Sequence, residues 1–403
     1  MNQYVCAYRG RRDNYQVPLA LAEAGLLDQF ITDFYTSKSW QRFAPYLPEQ
    51  WQAKLVFRQH PDLPSERVHC LWKETIQEHT RHRLGWSATK TYAVLDPIFS
   101  RQAAIRAQKT HSHLFLYTPY AWEAFRAPYR HTPYKVLFQF HPHSQFEDHL
   151  LTEDWRSYPQ VEQSYRAEVG RDLLPAAKQR EQDCWQYADL ILCASSFTRD
   201  TLLAAGVEPE RCRVLSYGVD LPTLTQQSPI SNFQALFVGS GIQRKGLHHL
   251  LQIWKTASLP EESQLILVCR VIDPGLGAMA ETLPGVKLLS GVSYETLVEL
   301  FQRSSLFVMP SLVEGFGQVF LEALSHGCPV LGTRHTCLPD LGNEADGIFL
   351  ANVGDLEHLQ SQLERLAQWL PGHSTIRQQA RACAARFSWQ NFRTAVCDWV
   401  RSP

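Results

Sequence analysis

No apolar run in these 403 residues approaches the ~18 that a membrane-crossing helix needs. Nor does a cationic start lead into an apolar core, so no signal peptide is expected, and a cytoplasmic place is, at most peripheral on the inner face of a membrane. Net charge is −1, which gives no global attraction to nucleic acid. The 10 cysteines never fall in C-x-x-C spacing. Cys184/Cys193 and Cys328/Cys337 fit no common zinc pattern, and most cysteines sit in apolar runs such as LILCAS and LILVCR. Buried, reduced thiols follow. The fingerprint G-x-G-x-x-G is missing too, which argues against a dinucleotide-dependent dehydrogenase.

What is present describes an ordinary globular protein, 44% hydrophobic and 20% charged, too long for one typical core. Two domains are the expectation. The most informative stretch is FVMPSLVEGFGQVFLEALSHGCPVLG, residues 307–332. The apolar run Leu306 to Met309 reads as a buried strand ending at Pro310. A loop with Glu314, Gly315, Phe316 and Gly317 follows, then a helical run from Val319 to Ser325 that stops at Gly327. Pro329 to Gly332 is a second strand. Glycines let backbone N–H groups approach a ligand, and a helix start offers unpaired donors with partial positive charge. A diphosphate suits that spot. Glu314 and Glu322 can then each accept hydrogen bonds from the paired hydroxyls of a sugar or ribose ring.

This stretch resembles the signature of the family 4 retaining glycosyltransferases of GT-B fold, E-G-F-G-x4-E-A-x3-G-x-P-V. Glu314 and Glu322 fall on its two glutamates. Around the turn after Phe233–Val238, FVGSGIQRKG resembles the family's V-G-S-x3-R-K-G segment. The resemblance implies an α/β protein with two Rossmann-like domains facing a cleft. Residues 1–225, completed by a C-terminal helix at about 385–403, would take the acceptor, and 226–384 the donor, joined by the linker LPTLTQQSPISN. It implies that Arg244 and Lys245 neutralise the donor diphosphate, that Glu322 holds the ribose, and that Glu314 holds the sugar. Gly239, Ser240 and the backbone from Phe316 through Gln318 to Val319 would line the donor, with Arg270 and Val292 near the base. Pro339-Asp340 stands where relatives carry a G-x-P-E motif. A D-x-D at a strand end is absent, so no metal and no cofactor are expected in the chemistry.

In the first half, Tyr4 to Ala7 reads as a strand, and Val17 to Leu27 follows helical spacing with Gly25 at its end. Between them Gly10 stands alone among Arg9, Arg11 and Arg12, where relatives usually carry a glycine pair near the acceptor. The arginines meet either an anionic acceptor or solvent. From Lys38 to Lys109, 12 basic residues face 6 acidic ones, interleaved with aromatics from Trp40, Phe43, Tyr46 and Trp51 to Trp72, Trp86, Tyr92 and Phe99. That mixture suits a lipid surface, or else the aromatics are core and the charges solvated. His111–Tyr117 and Lys135–Phe140 read as strands, and His141 follows the second. In open parallel sheets ligands bind beyond the carboxyl ends of strands. The resemblance gives a histidine here a donor-sugar contact, so His141 is preferred to His143. Residues 145–183 look polar and helical, without nameable chemistry. Asp189–Ala194 is a strand, and Ser195 or Ser196 caps the next helix.

The expected activity is transfer of a sugar from a UDP-, GDP- or ADP-sugar to a lipid or glycan, with retention, no divalent ion and no nucleic acid partner. The alternatives are a sugar-nucleotide epimerase of the same fold and a non-catalytic nucleotide-sugar binder.

Overall fold

The computed structural model describes residues 3–37, 46, 52, 55–169, 175–223 and 232–401. Trp40, Phe43, Trp51 and most of the linker, 224–231, lie outside the described residues.

Strands buried on both faces need no alternation of polar and apolar residues. YVCA, LILC and VLGT accordingly are buried at every position. The strands form two sheets. The first takes β1 (Tyr4–Ala7), β2 (Leu27–Thr32), β3 (Val68–Cys70), β4 (His113–Tyr117), β5 (Lys135–Gln139), β6 (Leu190–Cys193) and β7 (Cys212–Val214), in the order β3-β2-β1-β4-β5-β6-β7. The second takes β8 (Gln234–Val238), β9 (Gln264–Val268), β10 (Val286–Leu289), β11 (Leu306–Val308), β12 (Val330–Thr333) and β13 (Ile348–Ala351), in the order β10-β9-β8-β11-β12-β13. Every pairing is parallel: Cys6 sits opposite both Phe30 and Phe115, and Phe307 opposite Val330. Each sheet reverses its strand order beside its first strand, which places the ligand-binding crevice beyond the carboxyl ends there.

The helices used below are α1 (Gln16–Glu23), α2 (Trp72–Arg83), α3 (Ser144–Ser157), α4 (Glu162–Glu168), α5 (Ser196–Ala204), α6 (Leu247–Thr256), α7 (Gln318–Ser325) and α8 (Trp389–Arg401). The helical reading of Val17 to Leu27 runs too far. Helix α1 stops at Glu23, Gly25 turns the chain at φ +72°, and Leu27 opens β2. Strand β2 is hidden in the sequence by Asp28, an acid inside an apolar run. It stays there, buried, because Arg106 pairs with it at 2.7 Å and Thr110 donates to it at 2.8 Å.

Helix α8 returns from the second sheet to the first. Tyr4 Oη donates to Val400 O at 2.9 Å, and Val219 N donates to Phe387 O at 2.8 Å. A Cβ on Gly218 would meet Trp389 N at 2.5 Å, so only glycine lets the two crossings lie side by side. Helices α3 and α4, which lie in sequence between β5 and β6, lean the other way. Ser164 N donates to Asp273 Oδ2 at 2.8 Å, and Gln243 Nε2 donates to Leu151 O at 2.8 Å.

Candidate active site

The glycine loop after β11 meets the end of β5. A Cβ on Gly315 would lie 1.9 Å from Phe140 O, so backbone meets backbone with no room for a side chain. Ser195 Oγ and Thr198 Oγ1, from the start of α5, both donate to Gly315 O, at 2.5 and 3.1 Å. Ser195 also caps its own helix by accepting from Thr198 N. Asp340 Oδ2 accepts from Ser196 N at 2.7 Å, which makes it an inter-lobe cap. Phe316 is buried edge-on against Tyr217, and Gln318 Nε2 donates to Gly218 O at 2.7 Å. Helix α7 starts from Gly317 at φ +82° with no side-chain cap. Its first N–H groups keep the donor capacity of an uncapped start.

Glu314, buried, forms ion pairs with Lys245 Nζ and with Arg244, whose Nη1 lies 3.1 Å away. Burial alone would raise the Glu314 pKa, but Lys245 and Arg244 overcome it and hold the carboxyl at about 2. Arg244 is not free for a phosphate. Its Nε also lies 2.9 Å from Glu168 and 3.8 Å from Glu147, on α4 and α3. Both acids come from the stretch whose sequence offered no nameable chemistry. Burial pushes the Glu147 carboxyl up to about 7 against the pull of Arg244. Lys245 is followed by Gly246 at φ +68°, where a Cβ would strike Pro310 O at 2.0 Å. This glycine presses the Arg-Lys turn against the strand end that leads to Glu314.

His141 stands at the end of β5 and lines the cavity in the cleft, whereas His143 is buried behind it. His143 N donates to Thr201 Oγ1 at 2.9 Å, and its Nε2 lies 3.1 Å from Gln182 O. Desolvation, then Arg244, Arg12 and Lys245, hold His141 down to about 3, so its ring is neutral at pH 7. Glu322, on α7, has no side-chain hydrogen bond or ion pair among the described residues, and burial raises its pKa. Gly239 and Ser240 follow β8, Arg270 follows β9 and Val292 follows β10. Arg270 is exposed and Val292 half-buried, both at the carboxyl edge of the second sheet. Val319 is half-buried on α7.

On the first lobe, a cavity of ≈ 380 Å³ is lined by Arg9, Arg12, Gln139, His141, Glu147 and Arg244 among others. The arginines are engaged, not merely solvated. Arg9 pairs with Asp96 at 2.9 Å and Glu78 at 3.3 Å, and Arg12 stacks over Phe140 at 4.4 Å. Arg12 Nε is buried without a partner. Arg11 lies over Phe57 at 4.7 Å and donates to Asn14, and Gly10 N donates to Asp33 Oδ1 at 3.0 Å.

Two parallel α/β sheets joined at a cleft, each offering its strand ends to it, define the two-lobed GT-B class. Sucrose-phosphate synthase from Thermosynechococcus elongatus superposes with a TM-score of 0.71 at 16% identity, covering 100% of this chain and 98% of that one. Anabaena Alr3699/HepE, in complex with UDP-glucose, superposes with a TM-score of 0.59 at 15% identity, covering 100% of both chains. Residues 232–368, the body of the second lobe, match the family described as glycosyl transferases group 1. The MMP alpha-(1->4)-mannosyltransferase of Mycolicibacterium hassiacum is 27% identical over 213 residues, 51% of this chain and 52% of that protein. The chain thus spans about half the length of this curated relative.

Proposed function

We propose that the protein moves a sugar from a nucleotide-diphosphate donor to a glycan or lipid hydroxyl, retaining the anomeric configuration and using no divalent ion at the reacting centre. The observation that carries this is the convergence of Arg244, Lys245 and Glu314 beside the uncapped start of α7. Cations and main-chain donors held in place before reaction are what a leaving diphosphate needs as its charge grows. In this reading the diphosphate takes Arg244 and Lys245, and the Glu147 and Glu168 carboxylates give up Arg244 to it. Glu314 and Glu322 accept from sugar and ribose hydroxyls. His141, neutral, contacts the donor sugar from the opposite lobe. A curated relative named as a mannosyltransferase, and a similar fold solved with UDP-glucose, support the donor class.

The acceptor faces the cavity beyond His141. A lipid-linked acceptor is favoured by one edge of the first lobe. There Trp72 and Ile76 on α2, with Leu84 and Trp86 beyond it, are exposed among Lys73, Arg81 and Arg83. Exposed apolar residues beside a small excess of cations, Lys73, Arg81 and Arg83 against Glu74 and Glu78, suit an anionic membrane surface.

The test is nucleotide release from UDP-, GDP- and ADP-sugars without added magnesium or manganese, with and without glycan and lipid acceptors. Release that an acceptor stimulates is the expected result. Free sugar and nucleotide without any acceptor dependence would indicate an epimerase, and binding with no turnover a non-catalytic binder.

A further inference from the structure

Away from the glycine loop, helix α3 is held to the second lobe at one compact cluster. His248 and His249 occupy successive positions of α6, where side chains diverge by ~100° around the axis. Their imidazole tips nevertheless converge on Asp154 of α3. His248 Nε2 lies 3.0 Å from Asp154 Oδ2, His249 Nε2 lies 3.0 Å from Oδ1, and the three ligand atoms all fall within 4.8 Å of one another. Both rings are buried, and Tyr158 packs edge-on against each, at 5.2 and 4.9 Å. Gln243 Nε2 donates to Asp154 Oδ2 at 2.7 Å, fixing the carboxylate from outside the cluster.

The two histidines differ in one respect. His248 is aligned with the carboxylate as a hydrogen bond, whereas His249 Nε2 is as near but out of line, and is left buried without one. A hydrogen bond wants the N–H aimed at its acceptor. Two ligands of one ion behave otherwise, because the line between them is inclined to both metal–ligand bonds. A tetrahedral ion with bonds of ~2.0–2.2 Å spaces its ligand atoms ~3.3–3.6 Å apart. The two imidazole–carboxylate separations, 3.0 Å each, lie just inside that, and all three ligand atoms fall within 4.8 Å.

The geometry points to a structural site for a divalent transition-metal ion of the zinc class, held by Asp154 Oδ1 or Oδ2, His248 Nε2 and His249 Nε2, that fastens α3 to α6. Two imidazoles and a carboxylate are borderline ligands of the kind zinc takes, leaving one position to water. Gln243 is the outer partner that orients the carboxylate. An anionic carboxylate and neutral imidazoles are the forms in which these side chains bind such an ion. This ion takes no part in sugar transfer, and the assignment stands whether or not the transfer reading does.

The test uses the tag-free full chain, stripped with a chelator and then offered zinc chloride or cobalt chloride alone. One zinc per chain should survive gel filtration, and cobalt should give the intense visible bands of a four-coordinate nitrogen and oxygen site. Asp154→Asn and His249→Asn should each weaken uptake by more than about a hundredfold, beyond the ~10–100-fold that loss of an outer partner usually costs. His79→Asn, at an exposed site on α2, should bind as the unaltered chain does. Failure of the unaltered chain to retain stoichiometric zinc, or unchanged retention in His249→Asn, overturns the assignment. Should the variants not fold, X-ray absorption of the zinc-loaded unaltered chain decides. Two imidazoles with oxygen support the site, and any sulfur ligand or an all-water shell overturns it.

Discussion

The guanidinium of Arg244 lies 3.1 Å from the Glu314 carboxylate, joining the loop after β8 to the loop after β11. With Lys245 on the same carboxylate, two cations share one anion in a buried place. Removing either side leaves uncompensated charge where water is scarce. Lys245→Ala and Glu314→Ala should therefore each lower donor turnover by ~2–4 kcal/mol in the barrier, as loss of one preorganised donor does elsewhere. Steady-state nucleotide release measures this. A loss of only a few-fold in either variant would remove that residue from the proposed role.

His141 and His143 should separate cleanly. His141→Ala is expected to slow transfer while leaving the melting temperature nearly unchanged, because the ring faces the cleft. His143→Ala should do the reverse, costing ~1–3 kcal/mol of stability as Gln182 O loses its buried partner. Paired melting and activity measurements on the two variants check it.

Glu147 sets a pH dependence. Its folded pKa, about 7, lies above the ordinary glutamate value of 4.5. Its contribution to stability is thus fully present below 4.5 and is lost as pH rises through 7. Over the same rise the ionised carboxylate competes more strongly for Arg244. The KM for the donor should climb from pH 6 to pH 8 in the unaltered chain. In Glu147→Gln the climb should be flattened and stability at pH 8 raised relative to pH 5. Parallel profiles in the two proteins would refute the assignment.

Gly315 tests the meeting of the lobes. Alanine there would place Cβ 1.9 Å from Phe140 O, a clash with backbone that no rotamer relieves. Gly315→Ala should cost ~1–3 kcal/mol, as overpacking does, and lower activity by parting the cleft. Gly372→Ala, with nothing within 4 Å of its added Cβ, should stay within ~0.5 kcal/mol. Equal melting temperatures for the two variants would count against the contact.

Much of this was legible because local rules sufficed. Tyr4–Ala7 bounds both the strand read from the sequence and the observed β1. Residue type and position narrowed the cap of α5 to Ser195 or Ser196, and Ser195 is the one that accepts from Thr198 N. What escaped depends on distant partners. Asp28 concealed β2 until Arg106, 78 residues on, accounted for a buried acid. Glu168 meets Arg244 across 76 residues, and Asp154 meets His248 across 94. No spacing encodes such pairs. His248 and His249 fall on no motif of the sequence, and Asp340 only marked a departure from G-x-P-E until its bond to Ser196 N gave it a structural task.

The two passages of the chain between the sheets, near Val219 and near Phe387, are pinned together by a backbone hydrogen bond at a glycine. A motion that kept this bond would turn the halves about that seam, and it would have to break the hydrogen bonds of Ser195, Ser196 and Ser164 across the gap. Substrate entry by that route is therefore opposed by a few neutral and charge-assisted hydrogen bonds.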